Sequence, residues 1–95
     1  MYVQLSHYQI KPGHRSACIE LMNRLKPQIM ALPGLKQFLN VINDDDSGYV
    51  LAVMASQEQA QKNEGRVREL WTAFAAHLTQ LPAVEGHEIL ADWHA

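Results

Sequence analysis

The sequence has only one cysteine, Cys18, so an intrachain disulfide and a cysteine-based metal cluster are both excluded. It also has no excess of charge of one sign. Eight Lys and Arg residues against ten Asp and Glu residues give a formal net charge of -2, and the basic residues are too scattered to form a phosphate-binding stripe. No apolar run approaches the roughly 20 residues that cross a bilayer, and the amino terminus alternates too much for a signal peptide. We therefore expect a cytoplasmic protein that binds neither nucleic acid nor membrane.

Several motifs of nucleotide-binding and catalytic proteins are absent as well. There is no G-x-G-x-x-G motif or P-loop for a nucleotide, and no serine lies in a G-x-S-x-G elbow. Apolar residues, in contrast, are abundant: 47% of the 95 residues are hydrophobic and 19% are charged. These proportions are typical of a globular protein, and the length allows one hydrophobic core. We predict a single domain over residues 1–95.

Apolar periodicity predicts six elements in the order β-α-β-β-α-β. The strands are expected at residues 2–10, 35–43, 49–55 and 84–93, and the helices at residues 14–32 and 57–80. Pro27 should kink or restart the first helix because proline has no amide hydrogen to donate. Ser56 and Gln59 match a capping box at the start of the second helix. That helix should be interrupted at residues 63–65, and its longer part is expected at residues 66–80.

This order of elements is that of a ferredoxin-like α+β fold, in which four antiparallel strands carry both helices on one face. The third strand, residues 49–55, is apolar on both of its faces, so the face turned away from the helices must be covered too. No third helix is predicted that could cover it. A second copy of the chain, packed sheet against sheet about a two-fold axis, is the simplest cover. We therefore expect a homodimer that forms through its sheet faces.

The chain has five histidines, and histidine is the side chain that titrates nearest to neutral pH. No two of them have the i, i+4 spacing of a helical metal site or the i, i+2 spacing of a strand site, so we predict no metal site. His14 and His94 are interpreted as solvated side chains. His7, His77 and His87 lie in or beside predicted apolar faces. Each is expected either in the hydrogen-bonded core, at the dimer interface, or directed into the space between sheet and helices.

Two further residues stand out from their surroundings. Trp71 lies in the middle of the apolar stripe of the long helix, where core packing is the plain interpretation, although its indole N–H needs a partner if it is buried. Asn40 shares its strand face with Phe38 and Ile42, and a buried asparagine must be hydrogen-bonded to be tolerated. Asn40 is therefore expected either at the dimer interface or beside a ligand.

Four stretches of the chain form a pattern that can be compared with a family. They are Ile10-Lys11-Pro12-Gly13 after the first strand, Leu32-Pro33-Gly34-Leu35 before the second, the hairpin that ends in an apolar strand, and Ser56-x-Glu58-x-Ala60 followed by the helix with Trp71. Together they resemble the antibiotic biosynthesis monooxygenase (ABM) type of dimeric α+β barrel. The resemblance implies a ferredoxin-like subunit with a small cavity between sheet and helices. It also implies oxidation of quinol-like or polyketide aromatics by dioxygen, often with neither metal nor flavin.

The first hypothesis from this resemblance is a cofactor-independent monooxygenase that acts on a small aromatic substrate. Such chemistry needs a base that produces a phenolate and donors that stabilise an oxyanion. His7 or His87 is assigned as the base, and Asn40 and Trp71 as the donors. The residues assigned to binding the substrate are Met22, Phe74, His77 and Leu78.

Two alternatives remain open at this point. The same cavity could serve a non-catalytic small-molecule binding or carrier module, or the barrel could be a muconolactone-type isomerase or lyase or a purely structural dimer. Haem-degrading relatives have an asparagine on the first strand, where this chain has His7. We therefore do not predict haem. Because enzymes of this family often use neither metal nor flavin, the resemblance implies no other cofactor.

Overall fold

The computed structural model describes all 95 residues of the chain. Its strands are β1 (Tyr2–Gln9), β2 (Leu35–Ile42), β3 (Ser47–Met54) and β4 (Val84–Glu88). Its helices are α1 (Arg15–Met30), α2 (Gln57–Lys62) and α3 (Glu64–Ala73), followed by a short 3-10 helix at Ala75–His77. The strands form one antiparallel sheet in the order β2-β3-β1-β4. The predicted ferredoxin-like subunit is therefore confirmed, with β1 and β3 at the centre of the sheet.

The first helix and the turn before it follow from the local sequence. Gly13 has a φ of 80°, a left-handed conformation that glycine adopts without steric cost, and this lets the chain reverse before α1. The helix then continues through Pro27 to Met30, so it does not restart at the proline. Pro27 removes one amide donor, but its carbonyl still accepts a hydrogen bond from the Ala31 amide at 3.1 Å. Neither α1 nor any other helix combines the length and apolar character that a transmembrane segment needs.

A buried asparagine separates α2 from α3. The Ser56 hydroxyl accepts a hydrogen bond from the Gln59 amide at 3.1 Å, which confirms the predicted cap of α2. The helix ends at Lys62. The next residue, Asn63, is 2% exposed, and its Nδ2 donates to the Pro33 carbonyl at 2.6 Å. The predicted interruption is therefore confirmed, although α3 already begins at Glu64.

The predicted helix over residues 66–80 is wrong at its carboxyl end. The α-helix stops at Ala73, and only a single 3-10 turn follows. Beyond that turn Leu78 forms an isolated antiparallel bridge with Ile10, at the end of β1. A residue that pairs with a strand cannot also continue the i to i-4 hydrogen bonds of a helix, so the tertiary contact ends the helix early.

The predicted strand over residues 84–93 is also too long. In the structure β4 pairs with β1 and ends at Glu88, which lies opposite Tyr2. One further hydrogen bond joins the Ile89 amide to the Met1 carbonyl at 3.0 Å. Because β1 begins at Tyr2, the residues that follow Ile89 have no neighbouring strand with which to form further backbone hydrogen bonds.

The two faces of the sheet differ in what covers them. On the face that carries the helices, Tyr8 of β1 and Ile10 just after it pack with Phe74 and Leu78 in a buried hydrophobic cluster. The core is small, since only 10 of the 95 residues are buried. The helices therefore cover this face without filling all of the space above it.

The opposite face of the sheet, here named the open face, is apolar and covered by nothing within the chain. Strand register places on it Val3, Leu5, His7, Leu39, Val41, Tyr49, Leu51, Val53 and His87, together with the polar residues Gln37 and Glu85. Val41 and Tyr49 are 48% and 46% exposed. After β4, Leu90 and Trp93 are also largely exposed. The apolar second face that the sequence predicts is therefore present.

Candidate functional site

A cavity of about 290 Å³ lies between the sheet and the helices. Of the 21 residues that line it, 18 are hydrophobic. The strands contribute alternate residues of their covered face, and α1 and α3 contribute the apolar stripes that the sequence pattern predicts. Because the lining is apolar with few polar groups, the cavity has the character of a small-molecule site.

The polar part of the lining is centred on a hydrogen bond between Tyr8 and Asn40. The Tyr8 hydroxyl donates to Oδ1 of Asn40 at 2.6 Å. Nδ2 of Asn40 in turn donates to the sulfur of Met22 at 3.2 Å. Tyr8 is 5% exposed, whereas Asn40 is exposed on the edge strand β2. The pair therefore reaches from the interior of the cavity toward solvent.

The two titratable groups in the cavity are both held in their neutral forms. Burial raises the pKa of the Tyr8 hydroxyl, the nearby Cys18 raises it further, and Arg15 opposes the shift. Burial likewise raises the pKa of the Cys18 thiol. No carboxylate, imidazole or amine lines the cavity. At neutral pH Tyr8 is thus a hydrogen-bond donor and acceptor rather than a base.

Five of the residues assigned from the sequence do meet in this cavity. Its lining includes Met22, Asn40, Trp71, Phe74 and Leu78. Of the two interpretations left open for Asn40, the structure places it on the cavity side of the sheet, away from the open face. Trp71 is half-buried and lies with its ring centroid 6.2 Å from those of Tyr8 and Phe74. It forms part of the cavity wall.

Both histidines assigned as the base lie on the open face, away from the cavity. His7 is exposed and packs on the ring of Tyr49, with their centroids 4.8 Å apart. His87 lies opposite Val3 and is within 3.5 Å of a carboxylate oxygen of Glu85. The expectation that one of these imidazoles points into the space between sheet and helices is therefore wrong. In an apolar strand, alternation alone does not distinguish the face that the helices cover.

His77 and His14 also lie elsewhere than expected. His77 does not line the cavity, although Phe74 and Leu78, the residues on either side of the 3-10 helix, do. Its Nδ1 lies 3.0 Å from Nδ1 of His14, and both residues are half-buried. The interpretation of His14 as a solvated side chain is therefore wrong, because its ring is half-buried against His77. The two residues are 63 positions apart in sequence, so only the fold brings them together.

The sequence did contain a signal for the residues that were missed. Tyr8 lies on the strand face opposite His7, two residues from the buried Ile10, and that spacing marks the covered face. Gln4 and Ser6 share this face and also line the cavity. A second, more polar cavity of about 510 Å³ adjoins the first and shares four lining residues with it: Gln4, Val67, Trp71 and Val84.

Comparison with solved structures identifies proteins of the same fold. A protein of unknown function from Nitrosomonas europaea has a TM-score of 0.81 at 21% identity, covering 99% of this chain and 93% of its own. A proposed antibiotic biosynthesis monooxygenase from the same organism has a TM-score of 0.78 at 15% identity, covering 96% of this chain and all of its own. Another, from Deinococcus radiodurans, has a TM-score of 0.79 at 9% identity, covering 100% and 98%.

No family model matches the chain, and neither does any curated protein. At these identities the likeness is one of fold. The chain has the ferredoxin-like fold of the ABM-like proteins.

Proposed function

We propose that the protein binds a small phenolic aromatic in the cavity between sheet and helices and oxygenates it with dioxygen, as an ABM-type monooxygenase. The observation that carries the proposal is the apolar cavity of about 290 Å³ with the Tyr8–Asn40 hydrogen bond in its lining. The fold shared with proposed monooxygenases supports the same conclusion.

The volume of the cavity indicates the size of the substrate. A dry apolar cavity of about 150 Å³ holds one benzene molecule. A cavity of about 290 Å³ is nearly twice as large, so it suits two fused rings. It lies at the lower limit of ordinary ligand sites, which run from about 300 to 1,000 Å³. A naphthol-sized molecule is therefore the class of substrate that we propose.

The carboxamide of Asn40 is the group best suited to position the substrate hydroxyl. Its Nδ2 donates only to the Met22 sulfur, and a thioether is a weak acceptor. Exchanging that bond for one to a phenolic oxygen therefore costs little. Tyr8 fixes the orientation of the carboxamide through Oδ1. The donated hydrogen bond would strengthen as negative charge develops on the substrate oxygen.

The proposed reaction balances without a reductant. Taking 1-naphthol as the example, C–H oxidation gives 1,4-naphthoquinone and water: one atom of dioxygen is bonded to carbon, and the other leaves as water with two hydrogens. The substrate supplies all the electrons. The apolar walls would admit dioxygen and exclude bulk water from the intermediates. Because no base lines the cavity, the phenolic proton would pass to solvent at the Asn40 side.

We also propose that the protein is a homodimer formed through the open face. A contiguous apolar surface of this kind on one side of a sheet is the usual mark of an interaction site. Because the same strands carry the whole surface, a second copy can cover it isologously, sheet against sheet. The cavity is lined by residues of one chain, so each subunit would hold its own site.

Oxygen consumption with 1-naphthol tests the proposed reaction. In ¹⁸O₂, the account predicts enzyme-dependent uptake of one O₂ per naphthol, with one labelled oxygen in the quinone and one in water. Asn40→Ala should lower the rate, and Gln37→Ala, a substitution of another β2 residue whose partner Val53 lies on the open face, should not. Uptake that persists unchanged in Asn40→Ala would contradict the assignment of the site.

A second function is favoured by one specific observation. The cavity contains no ionised or imidazole side chain, and its two titratable groups are held neutral. A non-catalytic binding module needs no base, so the same cavity could bind its ligand without transforming it. Saturable binding of 1-naphthol with no oxygen uptake would identify this second function.

A further inference from the structure

Two histidines that are distant in sequence converge outside the cavity. Nδ1 of His14, at the start of α1, lies 3.0 Å from Nδ1 of His77, in the 3-10 helix. Neither residue lines the cavity described above, so the proposed oxygenation makes no use of them. We propose that His14 and His77 together bind a divalent transition-metal ion of the copper, nickel or zinc class.

The separation of the two nitrogens fits a chelate. Zinc–imidazole bonds are about 2.0–2.1 Å long, so two nitrogens bound to one ion at an angle between about 90° and the tetrahedral angle lie about 2.8–3.4 Å apart. The observed 3.0 Å lies within this range. Small side-chain rotations would turn both lone pairs from each other toward a shared ion, without moving the backbone.

The backbone around the pair is already fixed in this arrangement. The Lys11 amide donates to the carbonyl of His77 at 2.9 Å, and the His14 amide donates to the carbonyl of Lys11 at 3.0 Å. A single residue thus connects the two histidines through main-chain hydrogen bonds. Because the backbone of both ligands is held in place before the ion arrives, only the two side chains would need to reorient on binding.

The chemistry of the ligands selects the class of ion. The histidines that approach a carboxylate are His87, beside Glu85, and His94, beside Asp92. The His14–His77 pair has no such partner, and no third histidine, cysteine or acid completes a group around it. Two imidazoles suit copper, nickel and zinc, whereas calcium and magnesium require oxygen ligands. Water would fill the remaining positions, and copper should bind most tightly.

Metal binding would replace the hydrogen bond within the pair. The hydrogen bond between the two Nδ1 atoms uses one proton, and a metal ion needs both lone pairs. That proton must therefore move to the other ring nitrogen or leave when the ion binds.

Paramagnetic broadening by Cu²⁺ in ¹H–¹⁵N spectra of the untagged, unsubstituted protein locates the ion. The proposal predicts that sub-stoichiometric Cu²⁺ broadens amide signals first at residues 11–15 and 75–79. Broadening centred instead on residues 85–95, or no preferential site at all, would overturn it. This measurement is independent of any oxygenase activity, so its failure would leave the proposed function untouched.

Calorimetric titration with Cu²⁺ gives the second test. His14→Gln and His77→Gln should each weaken binding by at least about tenfold, because losing a ligand costs no less than losing an outer-shell partner. The matched controls, His87→Gln and His94→Gln, should bind as the unsubstituted protein does. Undiminished affinity in either folded variant of the pair would contradict the site. If a variant does not fold, the broadening map decides.

Discussion

The Tyr8 hydroxyl donates a hydrogen bond of 2.6 Å to Oδ1 of Asn40 and thereby fixes which side of the carboxamide faces the cavity. The acceptor end is occupied by Tyr8, so the donor end remains for the Met22 sulfur or for a ligand. A buried residue of a central strand thus orients an exposed residue of an edge strand. This contact is the stronger of the two hydrogen bonds that orient the proposed ligand-binding group, because the other one is accepted by a thioether.

Removing the Tyr8 hydroxyl should therefore weaken ligand binding. In Tyr8→Phe the carboxamide of Asn40 loses its fixed orientation, and a hydrogen bond of this kind contributes about 0.5–1.5 kcal/mol. We expect the dissociation constant for 1-naphthol, measured by calorimetry, to rise by roughly two- to tenfold. Tyr49→Phe is the matched control, since Tyr49 lies on the open face. Equal affinities in the two variants would contradict the role of Tyr8.

The cavity thiol should give the protein an alkaline limit of stability. The pKa of Cys18 is raised by burial in the folded chain, whereas in the unfolded chain it has its ordinary value of about 8.5. Above about pH 8.5 the unfolded state binds fewer protons than the folded state, so the free energy of unfolding falls as pH rises.

Urea denaturation at pH 8 and pH 10 measures this dependence. Cys18→Ala should lose less stability between these two values than the unsubstituted protein. Tyr8 should extend the decline at higher pH, because burial raises the pKa of its hydroxyl above the ordinary value of about 10. The same loss of stability in Cys18→Ala as in the unsubstituted protein would show that the thiol does not contribute.

Local sequence was sufficient for most elements but not for their ends. The cap at Ser56 depends on a near neighbour, and the local pattern predicts it. The interruption at residues 63–65 is also predicted, although the hydrogen bond from Asn63 to Pro33 spans 30 residues. The end of α3 depends on the bridge between Leu78 and Ile10, which no local pattern contains. The end of β4 depends in the same way on where β1 begins. Tertiary pairing therefore determines where these two elements end, which the periodicity of the sequence does not show.

The sequence predicted the position of the cavity walls but not the direction of the histidines. Apolar periodicity brought Met22 and Trp71 to the same cavity because both lie on helical stripes. The direction of His7 depended on which face of an apolar strand the helices cover, and alternation does not distinguish the two. The pairing of His14 with His77 spans 63 residues and leaves no spacing motif to find.

Asn63 should be important for stability although it is remote from the proposed chemistry. Its buried carboxamide donates to the Pro33 carbonyl at 2.6 Å, which joins the α2–α3 junction to the turn before β2. Asn63→Ala leaves that carbonyl without its partner, so we expect a loss of about 1–3 kcal/mol in thermal or urea denaturation. Asn23→Ala, on the exposed side of α1, should change stability by less than about 0.5 kcal/mol. Similar losses in both variants would contradict this role.

A charge on the open face should separate the proposed dimer. Light scattering should give about twice the chain mass of 10.8 kDa for the unsubstituted protein at micromolar concentration. Val41→Asp would bury an unpaired charge in the interface and should shift the protein to monomer. Met30→Asp is the control, because Met30 is exposed to a similar extent as Val41, 51% against 48%, but lies on α1. A monomeric unsubstituted protein would contradict the dimer.

The central claim, that the cavity is a ligand site, is tested most directly by ¹H–¹⁵N titration with 1-naphthol under anaerobic conditions. In a Trp93→Phe background the remaining indole N–H signal belongs to Trp71, and the Asn40 carboxamide can be assigned by its loss in Asn40→Ala. Both groups line the cavity, so the account predicts that both signals shift together and saturate at one equivalent per chain. Saturable binding that leaves both signals unmoved, or no binding at all, would contradict it.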